Sequence, residues 1–156
     1  MTEKTRSFDL RSEFRVGAQV ALLERMMRIE LSRLFEPMGL TYSQFTALMA
    51  IYHCGVISNA NLARISMIAP QSTNEMVKLM ESRGWIRRQQ DPHHKRVKLI
   101  SMTAAGEEVL QQADNAAQEV EQRMLAGQSD VECAQLQQGL QACIGALGEP
   151  PSEPLA

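Results

Sequence analysis

Residues 58–103 read SNANLARISMIAPQSTNEMVKLMESRGWIRRQQDPHHKRVKLISMT, and the order of caps, breakers and strands in this stretch decides the fold. Ser58 can cap a short helix running to about Ser66. Pro70 suits the first turn of a second helix reaching Arg83, because the N–H it lacks has no intrahelical partner there. Gly84 then ends that helix. Two short helices separated by about three residues are the footprint of a helix-turn-helix. Residues 85–90 and 97–102 follow as two strands, and Asp91-Pro92 marks the turn between them. The stretch therefore predicts a winged helix-turn-helix, in a chain that is mainly α with a small β-hairpin wing.

The second helix carries the most specific chemistry. Thr73, Met76, Val77 and Met80 recur at helical spacing and should face a core, which leaves Gln71, Ser72, Asn74, Glu75 and Lys78 outward. Gln and Asn can bond an adenine edge in two places, Glu can accept from cytosine, Ser is permissive, and Lys reaches guanine or phosphate. Such a face suits a major groove of double-stranded DNA, although an ordinary amphipathic surface helix has the same pattern. The hairpin adds Arg87, Arg88, Lys95, Arg96 and Lys98. Lys95 and Arg96 stand at the wing tip, and Arg96 is the residue expected to enter a minor groove, where narrow A·T tracts attract arginine.

Charge is distributed by region. The whole chain of 156 residues has a formal net charge of −2. Within residues 58–103, eight cations oppose three carboxylates, a net of +5, whereas residues 104–156 carry nine carboxylates and only Arg123, a net of −8. Residues 1–57 come to +1. A basic middle between neutral and acidic flanks places a phosphate-binding surface on one part of the fold.

Working outward, Val16, Val20, Leu23, Met27, Leu31 and Leu34 predict a long helix with one apolar stripe, ending near Pro37-Met38-Gly39. Thr41 and Gln44 can form a capping box for the next helix, with Leu40 stapled onto Phe45, and that helix runs to about Cys54 before Gly55 breaks it. Thr103 can cap a long helix with the stripe Val109 or Leu110, Ala113, Ala117, Val120 and Met124. A last helix carries Leu136, Leu140, Cys143 or Ile144, and Leu147. The expected division is an N-terminal dimerisation helix over 10–36, a DNA-binding lobe over 40–103 and C-terminal dimerisation helices over 104–147, with 1–9 and 148–156 disordered.

Other classes have less to stand on. Cys54, Cys133 and Cys143 are an odd set without a pairing framework, as expected of a cytoplasmic chain, and no signal peptide or membrane span is evident. No nucleophile-base pair, phosphate loop or metal cluster has workable spacing, so neither an enzyme nor a resident cofactor is expected. His93 and His94 beside Asp91 are adjacent in a hairpin and point to opposite faces, which argues against a metal site. Two alternatives remain: a winged-helix module that binds protein instead of DNA, and a redox-responsive regulator using Cys54.

Several local patterns together resemble the MarR family of bacterial winged helix-turn-helix regulators over about residues 10–147. They are Leu62-Ala63, Met80-Glu81-Ser82-Arg83-Gly84-Trp85-Ile86-Arg87-Arg88, Asp91-Pro92 with Arg96, and Leu99-Ile100-Ser101-Met102-Thr103-Ala104-Ala105-Gly106. The resemblance implies a homodimer closed by the first and last two helices, acting as a repressor on a roughly palindromic operator. It also implies release by a small aromatic or phenolic effector bound between the dimer helices and the lobe. Carried over by position, Gln71, Ser72, Asn74, Glu75 and Lys78 would lie at the major groove and Arg96 would be the wing arginine. Three positions depart from the pattern: His94 stands where Asp is common, Glu75 where a cation or neutral polar group is usual, and Ala69 where Ser or Thr would cap.

Overall fold

The computed structural model describes residues 15–94 and 96–148. The disorder expected at the chain ends, residues 10–14 of the expected N-terminal segment and the wing-tip Lys95 thus lie outside the described residues, although Gly148 is placed directly after the last helix. The elements in order are α1 (Val16–Phe35), a 3-10 turn (Glu36–Met38), α2 (Tyr42–Cys54), β1 (Val56–Ser58), α3 (Asn59–Ile65), α4 (Pro70–Ser82), β2 (Ile86–Gln90), β3 (Lys98–Met102), α5 (Ala104–Leu125) and α6 (Asp130–Leu147).

Four of the six α-helices among the described residues start on a side chain that replaces a missing intrahelical acceptor. Thr41 Oγ1 accepts from the Gln44 N–H at 3.2 Å while Gln44 Oε1 accepts from the Thr41 N–H at 2.9 Å, the capping box expected for α2. Ser58 accepts from Asn61, Thr103 from Gly106, and Ser129 forms a second box with Glu132 ahead of α6. No side chain caps α4 at Ala69, a loss of about 1 kcal/mol. Burial outweighs it: Val77 and Met80 are fully enclosed, and each such side chain contributes about 1.5–3 kcal/mol.

The wing is larger than the expected hairpin. β1 adds to β3 on the side opposite β2, giving a three-stranded antiparallel sheet in the order β1-β3-β2. The three residues from Gly55 to the helix cap, Val56, Ile57 and Ser58 itself, are too few to show a strand pattern. Their pairing is nevertheless favoured, because a two-stranded hairpin is marginal alone and Ile57 meets Ile100 in register, both buried. The core continues through Phe35 and Phe45, whose ring centroids are 4.9 Å apart, to Leu48, Ile51, Leu62 and Leu110.

Two apolar stripes are only partly covered. In α1, Leu31 and Phe35 are buried, but Val16, Val20 and Leu23 are exposed, Val16 to 66%. In α6 no residue is buried, and Leu136, Leu140, Ile144 and Leu147 face outward. These surfaces converge near the end of α5. Leu23, Met26 and Met27 share a groove with Val120 and Met124, and Met124 with Leu125 also lines a groove against Leu136 and Leu140. An Arg123–Glu30 ion pair at 3.1 Å ties α5 to α1 beside them.

The lobe is locked onto α5 at one point. Gly84, at a left-handed φ of 75°, turns the chain out of α4. The Trp85 carbonyl then accepts from the Thr103 N–H at 3.0 Å, and the Thr103 hydroxyl donates to the Gly84 carbonyl. Gly106 follows in the first turn of α5, where a Cβ would lie 2.0 Å from the Trp85 carbonyl oxygen. Replacing glycine by alanine inside a helix usually stabilises it by up to about 1 kcal/mol, but here backbone must move. Gly106→Ala should lower unfolding free energy by about 1–3 kcal/mol, whereas Gly17→Ala, with nothing within 4 Å of its Cβ, should be neutral or stabilising. Urea denaturation of both variants measures the contrast, and equal midpoints would contradict the close approach.

Candidate nucleic-acid interface

α4 divides its residues as its periodicity requires. Thr73, Val77 and Met80 are buried and Met76 is half-buried, while Gln71, Ser72, Asn74, Glu75 and Lys78 are all exposed. The Thr73 hydroxyl donates to the Ala69 carbonyl at 3.1 Å and so needs no outside partner. Ser72 and Glu75 border a groove that α4 shares with Thr41, Ser43 and Gln44 at the start of α2. Gln71, Asn74 and Lys78, spaced three and four apart, occupy one outer face.

The turn between α3 and α4 contains a residue that the sequence did not reveal. Met67 adopts a left-handed φ of 52° and is 79% exposed. Glycine or asparagine is the usual occupant of that conformation, so a methionine carries no signal for it.

The wing cations separate according to strand geometry. Ile86 is buried, so Arg88, two residues on, shares its face of the sheet, and Arg87 projects from the other. Arg87 Nε donates to the Ser101 hydroxyl of its cross-strand partner at 3.0 Å. Arg88 turns back to α4, where its Nε donates to Glu81 Oε2 at 2.8 Å and its Nη2 bonds the same oxygen. This ion pair is about two-thirds buried or more at each side chain, and it holds the Arg88 guanidinium within the lobe. The Arg88 hydrogen bond, with Lys98 adding to the field, holds the Glu81 carboxyl below the usual carboxylate range. Arg96 and Lys98 are exposed.

Asp91 organises the wing tip. Its Oδ1 accepts from the backbone N–H of His93 at 2.7 Å and of His94 at 3.2 Å. These two N–H groups, His93 foremost, lower its pKa. Asp91 thus supports the turn with its own side chain, where the resemblance expected a neighbouring carboxylate at position 94. At the C-terminal end of α4, Arg83 places its guanidinium 4.9 Å from the Trp85 ring centroid and donates to the Gly39 carbonyl, which fixes that end against the α1–α2 connection. Glu81, Arg83 and Met67 were absent from the sequence-derived site. An acid seven residues before an arginine, across a helix end and a tight turn, was the only available sign of the Glu81–Arg88 pair.

Among the described residues, no group of three or more His, Cys, Asp or Glu side chains could hold a metal ion, and no helix is long and apolar enough to cross a membrane. Cys54 is half-buried against the core, and Cys54, Cys133 and Cys143 are free thiols.

A paired helix-turn-helix, a three-stranded wing and long flanking helices define a winged helix-turn-helix protein. Residues 40–98 match the sequence model described as the MarR family. The chain is 28% identical over 113 residues to the HTH-type transcriptional repressor Rv2887 of Mycobacterium tuberculosis, covering 72% of this chain and 76% of that one. The fold is similar to a mutant MarR from E. coli complexed with operator DNA, with a TM-score of 0.75, 22% identity and coverage of 87% of this chain and 99% of the other. It is also similar to CouR from Rhodococcus jostii RHA1 bound to p-coumaroyl-CoA, with a TM-score of 0.72, 20% identity and coverage of 84% and 92%. The lobe thus matches the MarR family over residues 40–98, and over most of its length the chain is similar to transcriptional regulators of the helix-turn-helix type.

The Glu81–Arg88 pair has a pH signature. Because the folded pKa of Glu81 lies below its ordinary value of 4.5, the pair's contribution is present above that value and is lost as pH falls through the folded pKa. The difference in urea midpoint between the parent and Glu81→Gln should therefore be clear at pH 7, begin to shrink below pH 4.5 and vanish once the pH lies below the folded pKa. A pH-independent difference would show that the carboxylate charge is not what holds Arg88.

Proposed function

We propose that this regulator is a homodimeric repressor that binds double-stranded DNA and is released by a small-molecule effector. The observation that carries the reading is α4: one face is locked into the core, and the opposite face offers Gln71, Asn74 and Lys78 to solvent beside a cationic wing. These are the side-chain types that read base edges and phosphates in a major groove. The uncapped N-terminus of α4 adds a second attraction, since unsatisfied N–H groups and the helix dipole favour phosphate. Arg96 is the minor-groove residue in this reading and Lys98 a phosphate contact. Arg87 also contacts DNA from the outer face of the sheet, whereas Arg88 positions the wing through Glu81.

The uncovered apolar residues of α1 and α6 supply the dimer contact, so the ends of the chain dimerise and the lobe over residues 40–103 faces DNA. A MarR complexed with operator DNA, CouR bound to p-coumaroyl-CoA and a relative named as a repressor support DNA binding, an effector and the sign of regulation. The role is binding, without catalysis, and its setting is the cytoplasm.

Fluorescence anisotropy with duplex from upstream of the protein's own gene, against a scrambled duplex over a salt series, tests the reading. Tight, salt-sensitive and sequence-selective binding by one dimer per site is the expected result. Absence of binding at low salt would favour a protein-interaction module. Arg96→Ala should weaken binding to all A·T-flanked sites, whereas Asn74→Ala should relax preference at one base position at a cost of about 1–3 kcal/mol. Equal, sequence-independent losses would refute those roles. Leu136→Asp with Leu140→Asp should convert the dimer to monomer in sedimentation velocity and weaken DNA binding at least tenfold, and a persistent dimer would place the interface elsewhere.

A further inference from the structure

A cavity of about 380 Å³ lies between the last turns of α2 and the first turns of α5, within the size range of small-molecule sites. Its inner wall is apolar, formed by Leu110, which is buried, and Met49, which is half-buried. At its mouth stand Tyr52 and His53, with ring centroids 5.9 Å apart and an interplanar angle of 73°. Tyr52 is 59% exposed, an unusual position for a large ring in a chain that is only 4% aromatic. From α5, Glu107 and Asp114 bracket Leu110 and bring two carboxylates to the same cavity.

The balance of charge distinguishes this cavity. No Lys or Arg lines it among the described residues, and neither carboxylate has an ion-pair partner there. Asp114 accepts one hydrogen bond, from Gln118 Nε2 at 2.8 Å. Glu107 also sits in the first turn of α5, where a negative charge favours the helix dipole, so Asp114 is the carboxylate without such an alternative role. An anionic phenol or carboxylic acid entering here would meet two like charges and no lysine or arginine. A cation would meet two opposite charges, aromatic rings and an apolar wall.

We propose that this cavity binds an organic cation, a small aromatic or alkyl ammonium, with its charge between Glu107 and Asp114 beside Tyr52 and its apolar part against Met49 and Leu110. The site deepens the regulator reading, on which its consequence rests, and replaces the phenolic class of effector with a cationic one. α2 leads through Gly55 and β1 into the helix-turn-helix, while α5 starts after Thr103 and reaches α1 at the Arg123–Glu30 pair. A ligand held between them favours one setting of the lobe over another and so shifts the population that fits DNA.

Calorimetric titration of the full chain with benzyltrimethylammonium, phenylacetate and benzyl alcohol tests charge selectivity without DNA. The cation should bind saturably and at least tenfold tighter than the anion or the neutral probe. Asp114→Asn should weaken it at least tenfold and Tyr52→Leu severalfold, with unchanged melting temperatures, and Asp114→Glu should restore most of the affinity. No saturable cation binding at millimolar concentration, equal or tighter binding of phenylacetate, or undiminished binding by Asp114→Asn would each overturn the assignment. A separate anisotropy arm reads the consequence: the cation should weaken DNA binding by the parent more than by Asp114→Asn, and an unmoved DNA affinity would overturn the effector role. Failure of the parent to bind DNA would refute the regulator reading and leave the calorimetric result to decide the cavity.

Discussion

The backbone of Gly84 and Trp85 is the point on which the arrangement of the lobe depends. The carbonyls of these two residues receive Thr103, and the missing Cβ of Gly106 lets α5 close over them. The end of α4, the base of the wing and the start of α5 thus meet within a few ångströms. Arg83, stacked by the Trp85 ring and bonded to the Gly39 carbonyl, brings in the α1–α2 connection from the other side. Each such hydrogen bond contributes about 0.5–1.5 kcal/mol net, so together they resist independent movement of any one element. The direction of α4 relative to the long helices is fixed here.

A second level of organisation is electrostatic. Five cations on one hairpin look equivalent in sequence, but alternation along the strands gives them different surroundings. Arg88 lies on the same side of the sheet as Ile86 and is paired with Glu81, while Arg87 lies on the opposite side with Ser101. The paired cation confers geometry, and the exposed ones retain charge for an outside partner. Asp91 does for the wing tip what Glu81 does for its base, through two backbone N–H groups.

Much of this was legible because local signals agreed. Thr41 with Gln44, Ser58, Pro70, Gly84 and Thr103 each have one favourable place relative to a helix, and all five occupy it. The inward and outward faces of α4 followed from period alone. What escaped was non-local or chemically unmarked. β1 is only three residues long and becomes a strand because β3 has a free edge. Met67 takes a conformation its residue type does not advertise. The N-terminal stripe of α1 predicted burial, but the chain by itself covers only the end nearest the lobe. The Glu81–Arg88 pair bridges two elements whose relative orientation no local pattern encodes.

The segregation of charge along the chain acquires a spatial meaning once the fold is known. The +5 stretch becomes the helix-turn-helix and wing, and the −8 stretch begins at α5 and includes α6. The chain is therefore an electric dipole whose positive pole is the lobe. Near a polyanionic rod such a body experiences a torque as well as an attraction, and it turns its lobe inward before any side chain makes contact. Misoriented encounters are then repelled at the acidic end, so the molecule's small overall charge conceals a strong bias in how it approaches.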